Sequence, residues 1–321
     1  MHTYLRNRPA WAQLMIFGGL TFGLLLVISG VGVSILAHLN HMSIAQLSTI
    51  IKNNEFAKPE NAGLLKGLLV VNDIGLFILP PLIFSYLADP HPLAFVGLRP
   101  PQRNNFLLIA LITMIAGYFV VQLLGSLNET IVYLLPKSTQ QWILNGEADA
   151  NGQMKNILSM KSPADLLITI FLAGVLPAVG EELFFRGILQ KLFIQIFKSP
   201  WPGIIFTGFL FSAFHMQFMG FIPRMALGII LGALYWYSGS IYSSMLGHFI
   251  FNSISVVLIY FGVADLDSKS VFSIGYLLAG LLSIIIVVFL IWYLRKKSTT
   301  SYALEYQSKE YSIFDETEEP D

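Results

Sequence analysis

Two adjacent carboxylates, Glu181 and Glu182, are the first residues whose types and spacing could carry chemistry. They stand at the end of an apolar run, and ionisable groups at such a place are energetically expensive, which predicts a functional site. In a helix Glu182 and Arg186 are four residues apart and can pair, whereas Glu181 points about 100° away around the axis. We expect Arg186 to neutralise Glu182 and leave Glu181 free. For an isolated Glu-Glu pair, an ion pair that marks a helix end is the commoner explanation.

Two of the six histidines lie inside apolar runs and are the next candidates. His215 follows Phe211 by four residues, and His248 precedes Asn252 by four, so His248 and Asn252 share one helix face. A lone histidine in a span is more often a structural hydrogen-bonding group. Two such histidines, an asparagine and a Glu-Glu pair in three nearby apolar segments make coincidence much less plausible, and we expect these side chains to converge.

If these side chains converge, they suit hydrolysis. A carboxylate in a largely apolar site can act as a general base towards water, and imidazole and carboxamide groups can stabilise an oxyanion. Alternatively, Glu181, His215 and His248 would hold a divalent metal such as zinc and leave one position open. The residues leave both alternatives open: water activated by glutamate alone, or water bound to a metal.

Several other proteolytic mechanisms are disfavoured by what the sequence lacks. It contains no cysteine, which excludes a thiol nucleophile, disulfides and thiolate metal sites. It also contains no Gly-x-Ser-Gly, His-Glu-x-x-His or Gly-x-Gly-Asp motif. Rhomboid-like serine, site-2-type zinc and intramembrane aspartyl mechanisms are therefore disfavoured.

Composition places these residues in a membrane protein. Of 321 residues, 55% are hydrophobic and 12% are charged, and the mean hydropathy is +0.67. A soluble domain has about 25% charged residues. The net charge is zero, and no basic patch suggests binding to nucleic acid. The predicted partners are the lipid bilayer and a membrane-associated protein or peptide, and not nucleic acid.

The apolar runs predict an all-α, polytopic membrane bundle of about eight transmembrane helices. Polar loops are predicted at His38–Gly63 and Asn128–Pro163. The predicted spans are Leu14–Leu36, Leu68–Leu87, Phe106–Leu127, a segment that begins at Ala164, Pro202–Met219, Met225–Trp236, Ile241–Phe261 and Val271–Leu294.

Local signals predict further details of these helices. One helix over 164–197 would be about 50 Å long, against a hydrocarbon core of about 30 Å. We therefore expect Pro177 and Gly180 to break it and Ile188–Phe197 to lie at the membrane interface. Asp73 favours a polar packing contact over a functional role. Close helix contacts are expected at two small-xxx-small pairs, Gly19 with Gly23 and Gly228 with Gly232.

Positive charge predicts the orientation. Eight spans place four basic groups on one side, which is then the cytoplasmic side, and both termini with it. Arg224 is a counterexample, because it falls on the other side. The four groups are Arg6 with Arg8, Arg99 with Arg103, Lys191 with Lys198, and Arg295–Lys297.

Three motifs resemble the signatures of one family of membrane endopeptidases. Glu181-Glu-Leu-Phe-Phe-Arg186, Phe211-x-x-x-His215 and His248-x-x-x-Asn252 resemble those of the CAAX prenyl protease type II and bacteriocin-processing family, also called the abortive-infection family. Their order and spacing also fit, over about Ala164–Tyr260. The resemblance implies an all-helical bundle with a conical cavity open to the cytoplasm, in the cell membrane of a prokaryote.

By motif position, the resemblance also implies roles for individual residues. Glu181 would be the catalytic base, with His215 as its close partner. His248 and Asn252 would stabilise the oxyanion, or His248 would help to hold a metal. Glu182 and Arg186 occupy positions of structural support.

The functional prediction is an intramembrane, glutamate-dependent endopeptidase, with or without a metal, that cuts a membrane-associated protein or peptide near the cytoplasmic face. The alternative is a non-catalytic immunity or scaffold protein with the same fold. A transporter with a proton relay is disfavoured, since no inverted repeat is present. The predicted domains are three N-terminal spans with the long loop (1–163), a catalytic core (164–262), a last span (263–294) and an acidic, disordered cytoplasmic tail (295–321).

Overall fold

The structure is a computed structural model that describes Leu5 and residues 8–264 and 274–307. Within these residues the chain forms helices and turns, without a β-strand, which confirms the predicted all-α class. Most of the acidic tail lies outside the described residues. The principal helices are α1 (Ala10–Leu39), α2 (Ile44–Lys52), α3 (Pro59–Ala88), α4 (Pro92–Phe95), α5 (Asn105–Tyr133), α6 (Lys137–Ile157), α7 (Pro163–Phe197), α8 (Pro200–Ala213), α9 (Phe218–Ser238), α10 (Ile241–Tyr260) and α11 (Ile274–Lys297).

Seven helices in the described part of the chain are long and apolar enough to cross a membrane: α1, α3, α5, α7, α9, α10 and α11. The protein is therefore a polytopic membrane protein, as predicted. The predicted span Pro202–Met219 differs, because α8 has 14 residues and ends at Ala213. At about 21 Å, α8 is shorter than the hydrocarbon core of about 30 Å, and a turn that contains His215 follows it.

Basic residues of distant segments meet at one end of the bundle, which we call the basic end. Arg99 Nη2 lies 3.1 Å from Glu305 Oε1, which joins the chain before α5 to the chain after α11. Lys191 Nζ lies 4.8 Å from the centre of the Phe95 ring, which brings the C-terminal part of α7 to the same place. The predicted clustering of positive charge is confirmed for these segments, whereas Arg6 lies outside the described residues.

The short helix α8 leads the chain from the basic end towards the opposite end. It begins at the basic end, directly after α7. Beyond α8, the Phe218 carbonyl accepts a 2.9 Å hydrogen bond from Asn128, close to the far end of α5. The chain therefore passes along the bundle eight times, with seven long helices and one short one. For this reason both described ends, Leu5 and Gln307, lie at the basic end.

Both predicted polar loops contain a helix, so the loop predictions were wrong there. In the first, Ser43 and Gln46 form a capping box that starts α2. In the second, α6 lies across the end opposite to the basic end. Gln140 Nε2 fixes α6 to α5 by donating to the carbonyls of Tyr133 (2.8 Å) and Leu135 (2.7 Å). These helices are too polar to resemble a span, and hydropathy misses them.

Helix α7 is continuous over 35 residues, so the predicted break at Pro177 and Gly180 was wrong. The helix widens into π turns at Phe171–Val175. Pro177 has no N–H to donate to a carbonyl of the preceding turn, and the changed register of the π turns accommodates this missing hydrogen bond. A second π-helical stretch, Leu183–Leu189, follows the two carboxylates. Glu181 therefore lies near the middle of a helix about 52 Å long, and not at a helix end.

The last part of α7 belongs to the bundle and not to the membrane interface. Gln190 is fully buried, and its Nε2 donates a 3.0 Å hydrogen bond to the carbonyl of Gly232 on α9. This contact overturns the prediction for Ile188–Phe197. It also shows that a polar side chain of α7 can be buried in the bundle by donating to the backbone of a neighbouring helix.

The two predicted glycine contacts had different outcomes. A Cβ on Gly228 would lie 2.9 Å from Gly208 Cα, and a Cβ on Gly232 would lie 2.6 Å from Gln190 Oε1. These glycines therefore allow α9 to approach α8 and α7 closely, as predicted. Gly19 and Gly23 have no heavy atom of the described residues within 4 Å of their Cβ positions, so the prediction was wrong for that pair.

Candidate active site

Glu182, a fully buried carboxylate in the middle of α7, is the centre of the site. Its Oε1 lies 3.1 Å from Arg186 Nη1 and 3.0 Å from His248 Nδ1. Arg186 is also fully buried, donates from Nη2 to the Gly228 carbonyl at 3.0 Å, and lies 4.8 Å from the centre of the Phe211 ring. The predicted Glu182–Arg186 pair is present, and it also connects α7 to α9 and α10.

Glu181 is the carboxylate without such partners. Its side chain is 13% exposed, against 0% for Glu182, and its Oε2 forms no hydrogen bond with any described residue. Glu181 Oε2 lies 4.0 Å from His248 Nε2. This separation is too long for a direct hydrogen bond and leaves room for one bridging oxygen atom. The expected division between the two carboxylates is therefore found in the structure.

Both histidines are held through Nδ1. His248 Nδ1 faces the Glu182 carboxylate, and His215 Nδ1 lies 2.8 Å from the Phe211 carbonyl. Since carboxylate and carbonyl oxygens only accept hydrogen bonds, each Nδ1 carries the hydrogen and each Nε2 stays free for chemistry. The Phe211 ring packs against both imidazoles, with centroid distances of 5.3 Å to His215 and 5.7 Å to His248.

His215 and Asn252 stand at the edge of this group. The His215 side chain lies in the turn after α8 and is exposed, and Glu181 interacts with it electrostatically. Asn252 is half-buried one helical turn beyond His248. Among the described residues it forms no hydrogen bond with the other site residues, so its role at an oxyanion stays a prediction.

The predicted metal ligands are Glu181, His215 and His248. No three His, Cys, Asp or Glu side chains of the described residues are placed to hold a metal ion. Glu182 Oε1 is shared by Arg186 and His248, so this carboxylate is not available as a ligand, whereas the Nε2 atoms of both histidines remain unengaged by the described residues. Zinc held by Glu181, His215 and His248 therefore stays a prediction, and we derive no step through a metal.

Two cavities border the site. The larger, of about 490 Å³, has an entirely apolar lining from α5, α7 and α10. The smaller, of about 250 Å³, lies between α6 and the turn that carries His215. The larger is lined by Leu107, Val175, Ala178, Val179, Tyr242, Met245, Leu246 and Phe249. The smaller is lined by Trp142, Ile143, Asn145, Gly146, Glu147, Asp149, Met216 and Phe218.

Arg224, the counterexample to the positive-inside distribution, lies beside the smaller cavity. Its Nη2 donates to Gln217 Oε1 at 2.6 Å and its Nη1 to the Gln217 carbonyl at 3.1 Å. Glu147 on α6 attracts it electrostatically. Burial raises the pKa of Glu147, while Arg224 and the backbone of Met219 act in the opposite direction. The positive charge is thus compensated locally, at the end opposite to the basic end.

Sequence reasoning underestimated two residues of this region. Phe211 was read as part of a motif only, yet it packs against Arg186 and both imidazoles. Asp73 was read as a packing residue, yet its carboxyl group lies against Gly180, the residue before Glu181. The signal for Asp73 was present, because an acidic residue in a span is costly, but the sequence could not indicate which helix it faces.

Comparison with known proteins confirms the family resemblance for one segment. Residues 163–254 match the family described as "Type II CAAX prenyl endopeptidase Rce1-like", and this segment includes every predicted site residue. YpbD, an uncharacterised protein of Bacillus subtilis (strain 168), is 27% identical over 136 residues, which are 41% of this chain and 65% of YpbD. The match thus covers less than two thirds of the length of YpbD. No solved structure matches significantly.

Proposed function

We propose that this protein is an intramembrane endopeptidase in which Glu181 is the general base. The observation that carries the proposal is the position of the Glu181 carboxylate, whose Oε2 lies 4.0 Å from His248 Nε2. The other ring nitrogen of His248, Nδ1, is bound by Glu182 of the buried Glu182–Arg186 pair. The match of residues 163–254 to a family described as endopeptidases supports it. The substrate class is a membrane-associated protein or peptide.

The reaction uses one water molecule in the gap between Glu181 and His248. Glu181 takes a proton from this water, the oxygen attacks the peptide carbonyl carbon, and the carbonyl electron pair moves to its oxygen. His248, as an imidazolium with hydrogens on both Nδ1 and Nε2, and the Asn252 amide donate hydrogen bonds to that oxyanion. When the C–N bond breaks, the proton held by Glu181 passes to the leaving amine. His215, beside Glu181, orients the water through its Nε2.

The proposed cut lies near the cytoplasmic face. We assign the basic end to the cytoplasm of a prokaryotic cell, following the positive-inside rule. His248 is seven residues from the start of α10 at that end, about 10 Å along the helix. A substrate segment that lies in the bilayer can therefore reach the site from the apolar cavity between α5, α7 and α10.

The test compares the termini of membrane and secreted peptides in cells that express the wild type or Glu181→Gln at matched levels. This comparison needs no guess about the substrate. Termini that appear only with the wild type establish proteolysis and identify the cut. If both proteins give the same termini and Glu181→Gln also restores the phenotype of a deletion strain, the non-catalytic immunity or scaffold alternative replaces the enzyme.

Removal of metal tests the remaining alternative for the chemistry. With water activated by Glu181 alone, dialysis of the purified protein against a chelator leaves the cleavage rate unchanged. The substrate is a short synthetic peptide that spans the identified cut, so that the chelator cannot act through a metal bound to a folded substrate protein. Loss of cleavage that added zinc restores would instead establish metal-bound water.

A further inference from the structure

Asp73 is a buried carboxyl group that the proposed reaction does not use. It lies in the span α3, at the first position of the π-helical stretch Asp73–Ile78, and is 8% exposed. Its Oδ2 forms no hydrogen bond with any described residue. A buried carboxyl group without a donor or a cation costs free energy, so packing alone does not account for it.

The Asp73 carboxyl group lies directly against the turn of α7 that carries Glu181. A Cβ on Gly180 would lie 2.6 Å from Asp73 Oδ2, 3.0 Å from Asp73 Oδ1 and 3.0 Å from Phe77 Cβ. The two carboxyl oxygens thus occupy the space that a side chain at position 180 would need. Gly180 is required here for close approach, and this approach brings a second acidic group beside the proposed base.

Glu181 is also the charged group that acts on Asp73. Within the described residues, the electrostatic partner of the Asp73 carboxyl group is the Glu181 carboxylate, and no Lys, Arg or His forms an ion pair with Asp73. Arg186 and Arg224 also interact with Glu181 and favour its ionised form. No cation of the described residues acts on Asp73. Of these two neighbouring carboxyl groups, Asp73 is therefore the one that keeps its proton. The group that keeps its proton then has an O–H to donate, and the ionised group accepts.

We propose that Asp73 is a positioning residue for Glu181, a neutral carboxyl group whose O–H is directed to the Glu181 turn and holds the base towards His248. The inference rests on the proposed function. It deepens that function by adding a residue from α3, outside residues 163–254, to a site otherwise built from α7, the turn after α8, and α10. Asp73 does not contact the reacting atoms and acts through Glu181.

The proposal predicts opposite effects on rate and on stability. In Asp73→Leu the base loses its support, so kcat falls about 10- to 100-fold, as for other supporting hydrogen bonds, with KM unchanged. The Tm of Asp73→Leu is at or above that of the wild type, since the cost of burying a carboxyl group is removed and an apolar side chain of similar size takes its place. In Asp73→Asn an N–H replaces the O–H donor, and kcat stays within about tenfold of the wild type.

The experiment uses the purified full-length protein in liposomes and a peptide that spans the cut identified by the comparison of termini. Rates and melting temperatures are measured for both Asp73 variants. Asp165→Asn is the matched control. Asp165 lies on α7, the helix of Glu181, but at its start, where its carboxylate accepts hydrogen bonds from the Ser162 hydroxyl and the Lys161 N–H. This control is expected to keep the wild-type kcat.

The possible outcomes separate this inference from the proposed function. Glu181→Gln is assayed in parallel, and if it cleaves as fast as the wild type, the proposed function fails and the role of Asp73 fails with it. If Glu181→Gln is inactive while Asp73→Leu keeps the wild-type kcat, only the inference about Asp73 is overturned. A lower Tm for both Asp73 variants, with equal losses of kcat, would make Asp73 a structural residue and also overturn it.

Discussion

Two neighbouring glutamates have different surroundings and, in our proposal, different tasks. Glu182 is closed off by Arg186 and His248 and cannot reach a substrate, whereas Glu181 has no hydrogen bond to the described residues at Oε2 and a side chain that is 13% exposed. A helix separates adjacent residues by about 100°, so one side chain enters the bundle core while the next faces the site. The same backbone segment can thus provide both a buried support and a free base.

This difference predicts opposite results for one substitution at two adjacent positions. Glu182→Gln removes the charge that compensates buried Arg186, and we expect a loss of about 3–5 kcal/mol of stability. Glu181→Gln removes no ion pair of that kind and should leave stability within about 0.5 kcal/mol while cleavage is lost. Thermal or denaturant unfolding in detergent, monitored for both variants, checks this. Equal destabilisation of the two variants would contradict the division of roles.

At the scale of elements, Asn128 connects the end of α5 to the turn that carries His215. It is 3% exposed. Its Nδ2 donates to the carbonyls of Phe218 (2.9 Å) and Met219 (2.8 Å), and its Oδ1 accepts from the Ile222 N–H (3.1 Å). The Asn128 side chain therefore binds both carbonyl and N–H groups in the first turns of α9. It thereby fixes the position of the chain that follows His215.

We expect Asn128→Ala to cost about 1–3 kcal/mol, because buried backbone groups lose their partners, and to lower the cleavage rate through displacement of His215. Unfolding and peptide cleavage measure the two effects. Thr130→Ala is the matched control, since the Thr130 hydroxyl donates only within its own helix, to the Ser126 carbonyl at 2.9 Å. A variant Asn128→Ala with normal stability and cleavage would show that the turn does not depend on this residue.

The contact between α8 and α9 depends on glycine at two facing positions. Because a Cβ on Gly228 would lie 2.9 Å from Gly208 Cα, Gly228→Ala must push the two helices apart. The expected cost of overpacking is about 1–3 kcal/mol. Gly19→Ala, where the space is open, should be neutral or stabilising by up to about 1 kcal/mol. Melting temperatures of the two variants provide the comparison, and similar values would argue against the close contact.

At the scale of the whole molecule, the chain passes along the bundle eight times although only seven described helices are long enough to span it. The short pass, α8, ends in the turn that contains His215. A helix that ends within the bundle allows a residue of the following turn to lie in the interior. In a helix that crosses the whole bundle, only residues on the inward face could do so. The shortness of α8 is thus part of how the site is built.

The absence of cysteine allows a direct test of the orientation. Lys198 at the basic end and Lys58 at the opposite end are both exposed. With the basic end in the cytoplasm, Lys58→Cys reacts with a membrane-impermeant maleimide in intact cells, and Lys198→Cys reacts only after permeabilisation. The wild type, without a thiol, provides the background. The reverse labelling pattern would place the site near the outer face and contradict the proposed orientation.

The sequence alone determined the class of this protein and most of its spans, and it indicated the carboxylates and histidines of the candidate site. Long apolar runs, charged residues within them and spacings of four residues are local signals, because bilayer thickness and helix geometry apply to each segment separately. They also indicated the pairing of Glu182 with Arg186. They wrongly predicted a helix break at Pro177, since a π turn can accommodate a proline. They also missed α2 and α6, because these helices are too polar to be detected by hydropathy.

Only the tertiary structure decided which side chains meet. Three contacts depend on how the helices pack against one another. They are the hydrogen bond between Glu182 and His248, 66 residues apart, the packing of Asp73 on Gly180, and the hydrogen bonds of Asn128 to the start of α9. Packing is set by the combined shape of many side chains and by glycines at points of close approach. No spacing along a single chain encodes it, which explains why the contacts of His248 with Glu182 and of Asp73 with Gly180 could not be assigned before the helices were placed together.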